Sequence, residues 1–283
     1  MNLFLYMLLI FFYFVSKIIG LRLSSTLGGI IVYCYGIFSQ KNSIGIKNLT
    51  IVFPEKTLRE KKAILGKMWF HFGRVIGEYA HLDKIDFSDE SVIKIEKIEN
   101  LLNPIQNGNC IFFSAHIGNW ELSSHPLVQN GFDINFIYRP PNNHYVENLL
   151  KKIRKKYGVK LIKKGNEGAK ECIRVLKKKG NLGMLIDQKM NDGIKINFFG
   201  KEAMTATAIA KLALKFKSTV IPAYCVRVGG TNFKIKYFKP ILYEKIRKLK
   251  TEKKITIHLN KYIEEWIKEY PEQWIWIHNR WKN

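Results

Sequence analysis

Cysteine is scarce in this chain of 283 residues, and the four that occur form no Cys-x-x-Cys pair. They are Cys34, Cys110, Cys172 and Cys225. Regular pairing would indicate a disulfide framework, a zinc ribbon or a redox motif. Because such spacing is missing, we expect reduced or buried thiols and no disulfide bonds.

Acidic residues are also few. The 23 Asp and Glu oppose 47 Lys and Arg, which gives a formal net charge of +24. A surface of this sign attracts an anionic partner, and three classes fit: nucleic acid, an acidic carrier protein or a membrane surface. Lys and Arg are spread along the chain and no nucleic-acid-binding module is recognisable, so nucleic acid is the least favoured of the three.

Charge is nearly missing from the first 38 residues. Residues 1–16 carry no charged side chain, Lys17 and Arg22 follow, and residues 23–38 are again uncharged. A spanning helix needs about 20 apolar residues, so residues 1–20 cross a bilayer only if Lys17 reaches the headgroups. We therefore predict a membrane anchor over residues 1–38.

The same segment lacks the marks of a cleaved signal peptide, which begins with basic residues and ends at a small-residue cleavage site. Nothing basic precedes the apolar run, and no alanine occurs before Ala63. A retained anchor is therefore favoured. Because Lys17 and Arg22 follow the first apolar run, the positive-inside tendency predicts that the body lies on the cytoplasmic side.

The rest of the chain shows no repeat and no long Pro- or Ser-rich linker, so residues 39–283 are predicted to form one domain. Short apolar runs predict strands, and helical spacing predicts helices before and between several of them. This alternation is typical of an α/β domain with a mixed, largely parallel sheet flanked by helices. The predicted strands are 110–114, 134–138, 182–186, 220–226 and 233–238, and the clearest helices are 56–79, 143–157, 167–179 and 205–216.

The most informative motif is CIFFSAHIGNWEL, residues 110–122, in which an apolar run ends shortly before His116 and Glu121 follows five positions later. A neutral imidazole at a strand end can take a proton from a hydroxyl, and a carboxylate can hold the ring in one tautomer. Five residues on a helix rotate by roughly 140°, so the pairing needs His116 on a loop and Glu121 in the first helical turns. We also expect Gly118 to let the backbone approach a ligand.

Other interpretations of the His-x4-Glu spacing remain open at this point. An isolated histidine of this kind is more often a satisfied core or surface residue. A zinc site is disfavoured, because His116 and Glu121 lack the pair of histidines at i and i+4 that a metalloprotease helix provides.

The segment AHIGNWE, residues 115–121, resembles the signature of the late acyltransferases of lipid A biosynthesis, the lauroyl and myristoyl transferases. That family lies within the wider glycerolipid and lysophospholipid acyltransferase superfamily. Further segments resemble the blocks of the family in the same order, and together they extend over roughly residues 40–283. They are NLTIVFPE at 48–55, YRPPNN at 138–143, DQ at 187–188, FFG at 198–200 and WIHNRWK at 276–282.

The resemblance implies catalytic roles for His116, as the general base, and for Glu121, as the group that orients its ring. Asn119, inside the motif, is predicted to bind substrate. Arg154 matches an arginine that the family links to the acyl site, although a solvated face of a very basic helix is the alternative.

Two further predicted substrate-binding residues follow probable strands. Arg139, which precedes two prolines, can offer a planar guanidinium to a phosphate or an oxyanion, unless it is an ordinary arginine in a surface turn. Asp187 can orient a substrate group, unless it only caps the next loop. Near the end of the chain, WIWIHNRWK at 274–282 places three tryptophans near Arg280 and Lys282. This combination suits a lipid headgroup zone, or else a stack of Arg280 on tryptophan within the fold.

The function implied is that of a membrane-anchored O-acyltransferase. It would move a fatty acyl group from the thioester of acyl carrier protein onto a hydroxyl of an acyl chain already present on a lipid A precursor. Both partners are anionic, in keeping with the net charge of +24. The resemblance implies no metal and no organic cofactor, and a position at the cell inner membrane with the catalytic domain on the cytoplasmic face.

Two alternatives remain. A related acyltransferase with a phosphatidylinositol mannoside or a lysophospholipid as acceptor would show a similar motif. A membrane-tethered nucleic-acid-binding protein would account for the charge, but it should concentrate its basic side chains on a groove with exposed aromatics.

Overall fold

The amino-terminal segment forms a long apolar helix, α1 (Asn2–Ile37), that is interrupted at Gly20, where φ is 80° and ψ is 169°. That conformation is open only to glycine, so α1 consists of two helical stretches that meet at a bend. The computed structural model of the chain describes residues 2–281. Met1, at the start of the predicted anchor, and Lys282 and Asn283, at the end of the chain, lie outside the described residues.

The second stretch of α1 packs closely along α3 (Leu58–Glu78), which follows α2 (Asn42–Val52). Glycines make this approach possible: a Cβ on Gly73 would overlap the carbonyl of Gly28, and one on Gly77 would overlap the carbonyl of Ser24. Helix α3 begins at Thr57 with a capping box, in which Thr57 and Glu60 satisfy each other's backbone N–H groups. Small residues at a helix contact are typical of packing in membranes.

Among the described residues, seven strands form one sheet in the order β1-β9-β8-β2-β5-β3-β4, and β6 and β7 form a separate antiparallel hairpin. The neighbours in the large sheet run parallel except β8 and β9. The strands are β1 (Ile93–Glu96), β2 (Cys110–Ser114), β3 (Asn135–Tyr138), β4 (Lys160–Lys163), β5 (Leu182–Leu185), β6 (Lys189–Phe198), β7 (Lys201–Thr205), β8 (Thr219–Gly229) and β9 (Asn232–Tyr237).

Helices cover both faces of this sheet, which confirms the predicted mixed, largely parallel α/β fold. Alternate residues of β2 enter different cores: Ile111 and Phe113 pack into one, Cys110 and Phe112 into the other. A strand buried on both faces reads as an unbroken apolar run. The remaining helices are α4 (Glu99–Ile105), α5 (His125–Gln129), α6 (His144–Lys156), α7 (Asn166–Lys177), α8 (Ala208–Phe216), α9 (Tyr243–Lys248) and α10 (Glu252–Glu269).

The five predicted strands are confirmed to within three residues at each end, and the four predicted helices to within three. The elements not predicted are α2, α4, α5, α9, α10, β1, β4 and the β6-β7 hairpin. Helix α1 is long and apolar enough to cross a membrane, as expected for an anchor. The division into an anchor of residues 1–38 and a domain of residues 39–283 stays a prediction.

Candidate active site

His116 and Asp187 meet because β2 and β5 are parallel neighbours in register. Ser114 at the end of β2 lies opposite Leu185 at the end of β5, so the residues two positions further on face each other. The backbone N–H of Ile186 donates to the carbonyl of Ser114 at 3.1 Å and carries the pairing past the strand ends. The carboxyl edge of a parallel sheet thus brings together an imidazole and a carboxylate that are 71 positions apart.

Asp187 is fully buried and accepts hydrogen bonds from three donors. The Nδ1 of His116 lies 2.8 Å from one carboxylate oxygen. The other oxygen accepts from the backbone N–H of His116 at 3.1 Å and from the indole Nε1 of Trp274 at 2.8 Å. Burial alone would raise the pKa of Asp187, but the neighbouring His116 and the donated hydrogen bonds hold this pKa well below its usual range.

An ionised Asp187 fixes the tautomer of His116. A carboxylate without a proton can only accept, so the Nδ1 of the neutral imidazole must donate and Nε2 is left as the basic nitrogen. The His116 side chain is 22% exposed and lines a pocket of about 610 Å³. The arrangement therefore holds a ring in the tautomer required of a general base at a site that a substrate can enter.

The loop that carries His116 is held from two sides. Gly118 has φ of +57°, and a Cβ there would overlap the carbonyl oxygen of Cys225 in β8. On the other side, the carbonyl of Gln273 accepts from the N–H of Gly118 at 3.1 Å, and the N–H of Ile275 donates to the carbonyl of His116 at 3.3 Å. The close approach that Gly118 permits is thus made to the sheet, and an approach to a ligand stays a prediction.

Glu121 lies in a 3₁₀ turn, Trp120–Ser124, and does not supply the carboxylate that binds the His116 ring. It accepts from the Nε of Arg154 at 2.9 Å, from the Nη2 of Arg154 at 2.5 Å, and from the hydroxyls of Tyr79 and Tyr157 at 2.7 and 2.8 Å. The predicted pairing of His116 with Glu121 is therefore wrong, because four donors from α6 and from the turns after α3 and α6 occupy Glu121 while Asp187 holds the imidazole.

The ion pair of Glu121 with Arg154 is nearly closed to solvent, with side-chain exposures of 5% and 15%. Burial by itself would raise the pKa of Glu121, but Arg154 and the two tyrosine hydroxyls lower it to about 2. Burial would lower the pKa of Arg154, but Glu121 raises it above its ordinary value. Both side chains line the pocket as a pair without net charge, so Arg154 has little charge left for a substrate anion.

Asn119, predicted to bind substrate, is fully buried and lies away from the pocket lining. Its Nδ2 donates to Oε2 of Glu78 at 2.7 Å. Glu78, in α3, also accepts from the hydroxyl of Ser25 in α1 at 2.7 Å and pairs with Arg227 of β8 at 2.7 Å. Asn119 therefore fastens the His116 loop to a buried polar network, and it offers no exposed surface to a substrate.

Asp187 too is placed differently from its prediction as a substrate-binding residue, because it is fully buried behind His116. Arg139 is placed as predicted: it follows β3 directly, is exposed and lines the pocket. Two further cations, Lys164 and Lys189, line the same pocket. No spacing in the sequence singled out these lysines, because they lie among many others.

The pocket has an apolar wall in addition to the three cations Arg139, Lys164 and Lys189. The apolar part of the lining comes from β3, β4, β5, α6 and α8, through side chains that include Phe136, Ile137, Leu150, Leu161, Met184 and Ile209. Across residues 2–281, no three His, Cys, Asp or Glu side chains are grouped so that they could hold a metal ion. A ligand with a long apolar part and an anionic part matches this lining.

The segment at 274–281 is buried within the fold and does not form a headgroup zone. Trp274, Trp276 and Arg280 have no exposed surface, and Trp281 is 8% exposed. The Nη1 and Nη2 of Arg280 donate to the carbonyl of Met204 and the hydroxyl of Thr205, and its guanidinium lies 4.6 Å from the ring centre of Phe198. This segment therefore holds the β6-β7 hairpin through Arg280, and it provides the hydrogen bond from Trp274 to Asp187.

Comparisons with known proteins agree with the resemblance seen in the motifs. The family model for bacterial lipid A biosynthesis acyltransferases matches residues 2–283. A lipid A biosynthesis acyltransferase of Haemophilus influenzae is 24% identical over 278 residues, which cover 95% of this chain and 84% of that protein.

Proposed function

Because the chain belongs to the family of bacterial lipid A biosynthesis acyltransferases, we propose that it transfers a fatty acyl group from the thioester of acyl carrier protein to a hydroxyl of an acyl chain on a lipid A precursor. The observation that carries the proposal is the His116-Asp187 pair at the pocket. Its geometry leaves Nε2 of a neutral imidazole free of Asp187 and available to an acceptor hydroxyl.

In this reaction His116 removes the proton from the acceptor hydroxyl through Nε2 as the oxygen attacks the thioester carbonyl. Asp187 stabilises the imidazolium that forms and stays ionised itself, as its lowered pKa supports. That attack forms the new carbon–oxygen bond, and collapse of the tetrahedral intermediate then breaks the carbon–sulfur bond and leaves the ester. The proton on His116 then passes to the departing thiolate of the carrier protein.

Glu121 and Arg154 serve this mechanism by shaping the wall of the pocket. The pair links the 3₁₀ turn to α6, and the hydroxyls of Tyr79 and Tyr157 complete its hydrogen bonds. The Nε and Nη2 of Arg154 are both used by Glu121. The role that we assign to Arg154 in the reaction is therefore to hold this wall of the pocket in place.

The anionic ends of the substrates are assigned to the solvent-accessible cations of the pocket. Arg139, Lys164 and Lys189 line it without an equivalent group of free carboxylates. The phosphates of a lipid A precursor fit Arg139, whose planar fork matches phosphate geometry. The net charge of +24 also favours the docking of an acidic carrier protein. Family membership favours these lipid and carrier partners over nucleic acid.

The same proposal places the chain at the inner membrane, with its catalytic domain on the cytoplasmic face, where acyl carrier protein is made. Helix α1 supports membrane attachment through its length and apolar character. The basic residues Lys17 and Arg22, at and after the end of the first apolar stretch, also favour attachment to a surface of anionic lipid.

The decisive experiment is mass spectrometry of a purified lipid A precursor after incubation with the protein and a mixture of acyl carrier protein thioesters. We expect the mass of one acyl group to be added, and no addition with the His116→Ala protein. A lysophospholipid and a phosphatidylinositol mannoside serve as competing acceptors in the same mixture. Acylation of either in place of the lipid A precursor would overturn the acceptor, and acyl transfer from acyl coenzyme A alone would overturn the donor.

A further inference from the structure

Helix α1 exposes an apolar stripe along its whole length. Most of the exposed large apolar side chains among residues 2–281 belong to it or to the adjacent Phe38. The stripe runs through both stretches, before and after the bend at Gly20. Its best exposed members in the two stretches include Phe4, Met7, Phe11, Ile18, Leu23 and Tyr35.

The opposite side of α1 contacts the body of the protein from one end to the other. Near its start, the ring of Tyr6 stacks on Tyr145 of α6 with 5.1 Å between centroids. In the middle, the buried carbonyl of Ser16 lies 2.9 Å from Nε2 of His81. After the bend, Gly28 packs against Gly73 of α3. Helix α1 therefore does not leave the body at any point where it could enter a bilayer alone.

A crossing orientation conflicts with these contacts. If the first stretch of α1 crossed the hydrocarbon, Tyr145 and the start of α6 would be drawn in with it, because Tyr6 and Tyr145 are stacked. The exposed Lys151 and Lys152 follow on α6 within two turns, about 10 Å along the helix axis. Charged side chains in hydrocarbon are strongly disfavoured, whereas an apolar stripe at the interface is not.

We propose that α1 lies in the plane of one membrane leaflet, with its stripe in the acyl region and its other side on the protein, and that it does not span the bilayer. The occupant of the stripe is an anionic lipid surface, because Lys17 and Arg22 lie on α1 on either side of the bend at Gly20 and the chain as a whole carries +24. Helix α6, on which Tyr6 rests, also carries Leu150 and Arg154 of the pocket lining. The pocket therefore lies beside the membrane surface.

Spin labels report this orientation directly. The full chain is labelled at single cysteines introduced as Phe4→Cys, Phe11→Cys, Ile18→Cys, Leu27→Cys and Ile31→Cys, in a Cys34→Ser background. Cys110, Cys172 and Cys225 are buried and should not react. The labelled proteins are bound to vesicles of phosphatidylcholine and phosphatidylglycerol, and the depth of each label is measured from its relative accessibility to oxygen and to a polar nickel complex.

An in-plane helix should give the same depth at all five stripe positions within the scatter of the method. A Lys152→Cys label serves as the matched control and should remain in water. Depth that rises to the bilayer centre and falls again along either stretch would overturn the proposal, and so would water exposure at all stripe positions, which would indicate a protein partner. A variant that loses its circular dichroism signal is replaced by Met7→Cys or Phe14→Cys on the same stripe.

The orientation does not depend on acyl transfer, so the two proposals fail separately. Equal label depths combined with no acylation in the mass-spectrometric assay would leave the in-plane helix intact and remove the proposed reaction. Acylation with a depth profile of a spanning helix would do the reverse.

Discussion

Two buried carboxylates lie beside the same pocket, and their surroundings give them different tasks. Asp187 accepts from an imidazole that is itself 22% exposed, so its charge acts on a group that a substrate can reach. Glu121 accepts from Arg154 and two tyrosines, which close around it. Both have lowered pKa values, yet only the first is connected to a base. A lowered pKa is therefore not enough to tell the roles of these carboxylates apart, and the group that each one binds indicates its role.

The comparison also distinguishes two pairs of side chains. The first is His116 with Asp187, to which we assign a part in catalysis, and the second is Glu121 with Arg154, which stabilises the fold. Breaking the first should affect the chemical step, whereas breaking the second should affect folding and the shape of the pocket. Each of the following changes is chosen to strengthen or break that distinction.

The largest effect is expected from the His116 imidazole. His116→Ala should lower kcat by on the order of 10² to 10⁴ in a folded protein, because the general base is lost. Asp187→Ala should cost a similar or smaller factor, since it acts through the same ring. Members of one catalytic unit are strongly non-additive, so the His116→Ala/Asp187→Ala protein should be hardly slower than His116→Ala alone. Steady-state kinetics with acyl carrier protein thioesters measure this.

The matched double variant is His116→Ala/Glu121→Ala, in which the two losses in kcat should multiply because Glu121 acts apart from the imidazole. If Glu121 were non-additive with His116 and Asp187 were additive, the roles of the two carboxylates would have to be exchanged.

The next effect concerns stability. Glu121→Gln leaves Arg154 buried without a charge partner, which is expected to cost about 3–5 kcal/mol in the free energy of unfolding. Replacing both partners, as Glu121→Leu with Arg154→Met, should restore most of this loss because no unpaired charge remains. Thermal unfolding in detergent measures both. Glu167→Gln, which breaks an exposed pair with Lys170, is the control and should leave Tm nearly unchanged.

The same pair predicts a dependence of stability on pH. Arg154 and the tyrosine hydroxyls lower the pKa of Glu121 from its ordinary 4.5 to about 2, so its contribution is present above about pH 4.5 and is lost as the pH falls towards 2. The double variant Glu121→Leu/Arg154→Met should therefore lose less stability on acidification over that range than the unaltered protein. Asp187 titrates in the same direction, so part of the slope should remain. Equal slopes would show that Glu121 is not ionised in the native state.

Two arginines of the pocket offer a smaller contrast. Arg154 is neutralised by Glu121, whereas Arg139 is exposed at the rim. Arg139→Ala should raise KM for the phosphorylated acceptor about tenfold, the value of one charge-assisted hydrogen bond. Arg139→Lys should recover only part of the lost affinity for the acceptor, because the point charge of an ammonium group does not reproduce the planar guanidinium. Lys152→Ala, on the outer face of α6, is the control. Equal losses on phosphorylated and dephosphorylated acceptors would remove the phosphate role of Arg139.

The smallest effect isolates one hydrogen bond to Asp187. Three fully buried tryptophans differ in what their indole N–H meets: Trp274 donates to Asp187, Trp276 to the carbonyl of Pro271, and Trp266 has no acceptor among the described residues. Trp274→Phe should lower kcat by a few-fold, less than the roughly tenfold value of a whole hydrogen bond to a charged group, because Asp187 keeps both of its bonds from His116. It should also move the acid limb of the pH-rate profile to higher pH, because Asp187 with one donor fewer attracts the imidazole proton more strongly.

The controls Trp276→Phe and Trp266→Phe lose the same ring area without touching Asp187. They should leave the pH-rate profile in place even where Tm falls. A shift of the profile in all three variants would assign the effect to packing, and Trp274 would then have no separate role in positioning.

Local patterns in the sequence were enough for the strands that are buried on both faces, because these read as apolar runs. They failed for β4, where Lys160 and Lys163 enclose only two apolar residues, and for the polar β6-β7 hairpin. Helix α10 was missed although Ile255, Leu259 and Ile263 recur at i and i+4 and are buried, so the signal for it was present.

The candidate site was foreseen only as far as local spacing reaches. His116 was located because a strand end is a local feature. Its carboxylate partner was misassigned to Glu121, because the choice between Glu121 and Asp187 depends on β2 and β5 being neighbours. Strand order is set by packing over the whole sheet, and no short motif encodes it. Trp274 and Asn119 were misjudged for the same reason, since their partners lie 87 and 41 positions away.

The contacts of Gln273, Trp274 and Ile275 with the His116 loop affect the order in which parts of the nascent chain can form. These residues are translated after every strand of the sheet, so a nascent chain can complete its sheet while the imidazole still lacks its support. Helix α1 precedes every strand in the chain, so it can reach the membrane surface well before that moment. The enzyme is thus expected to be at the membrane before it is competent to act.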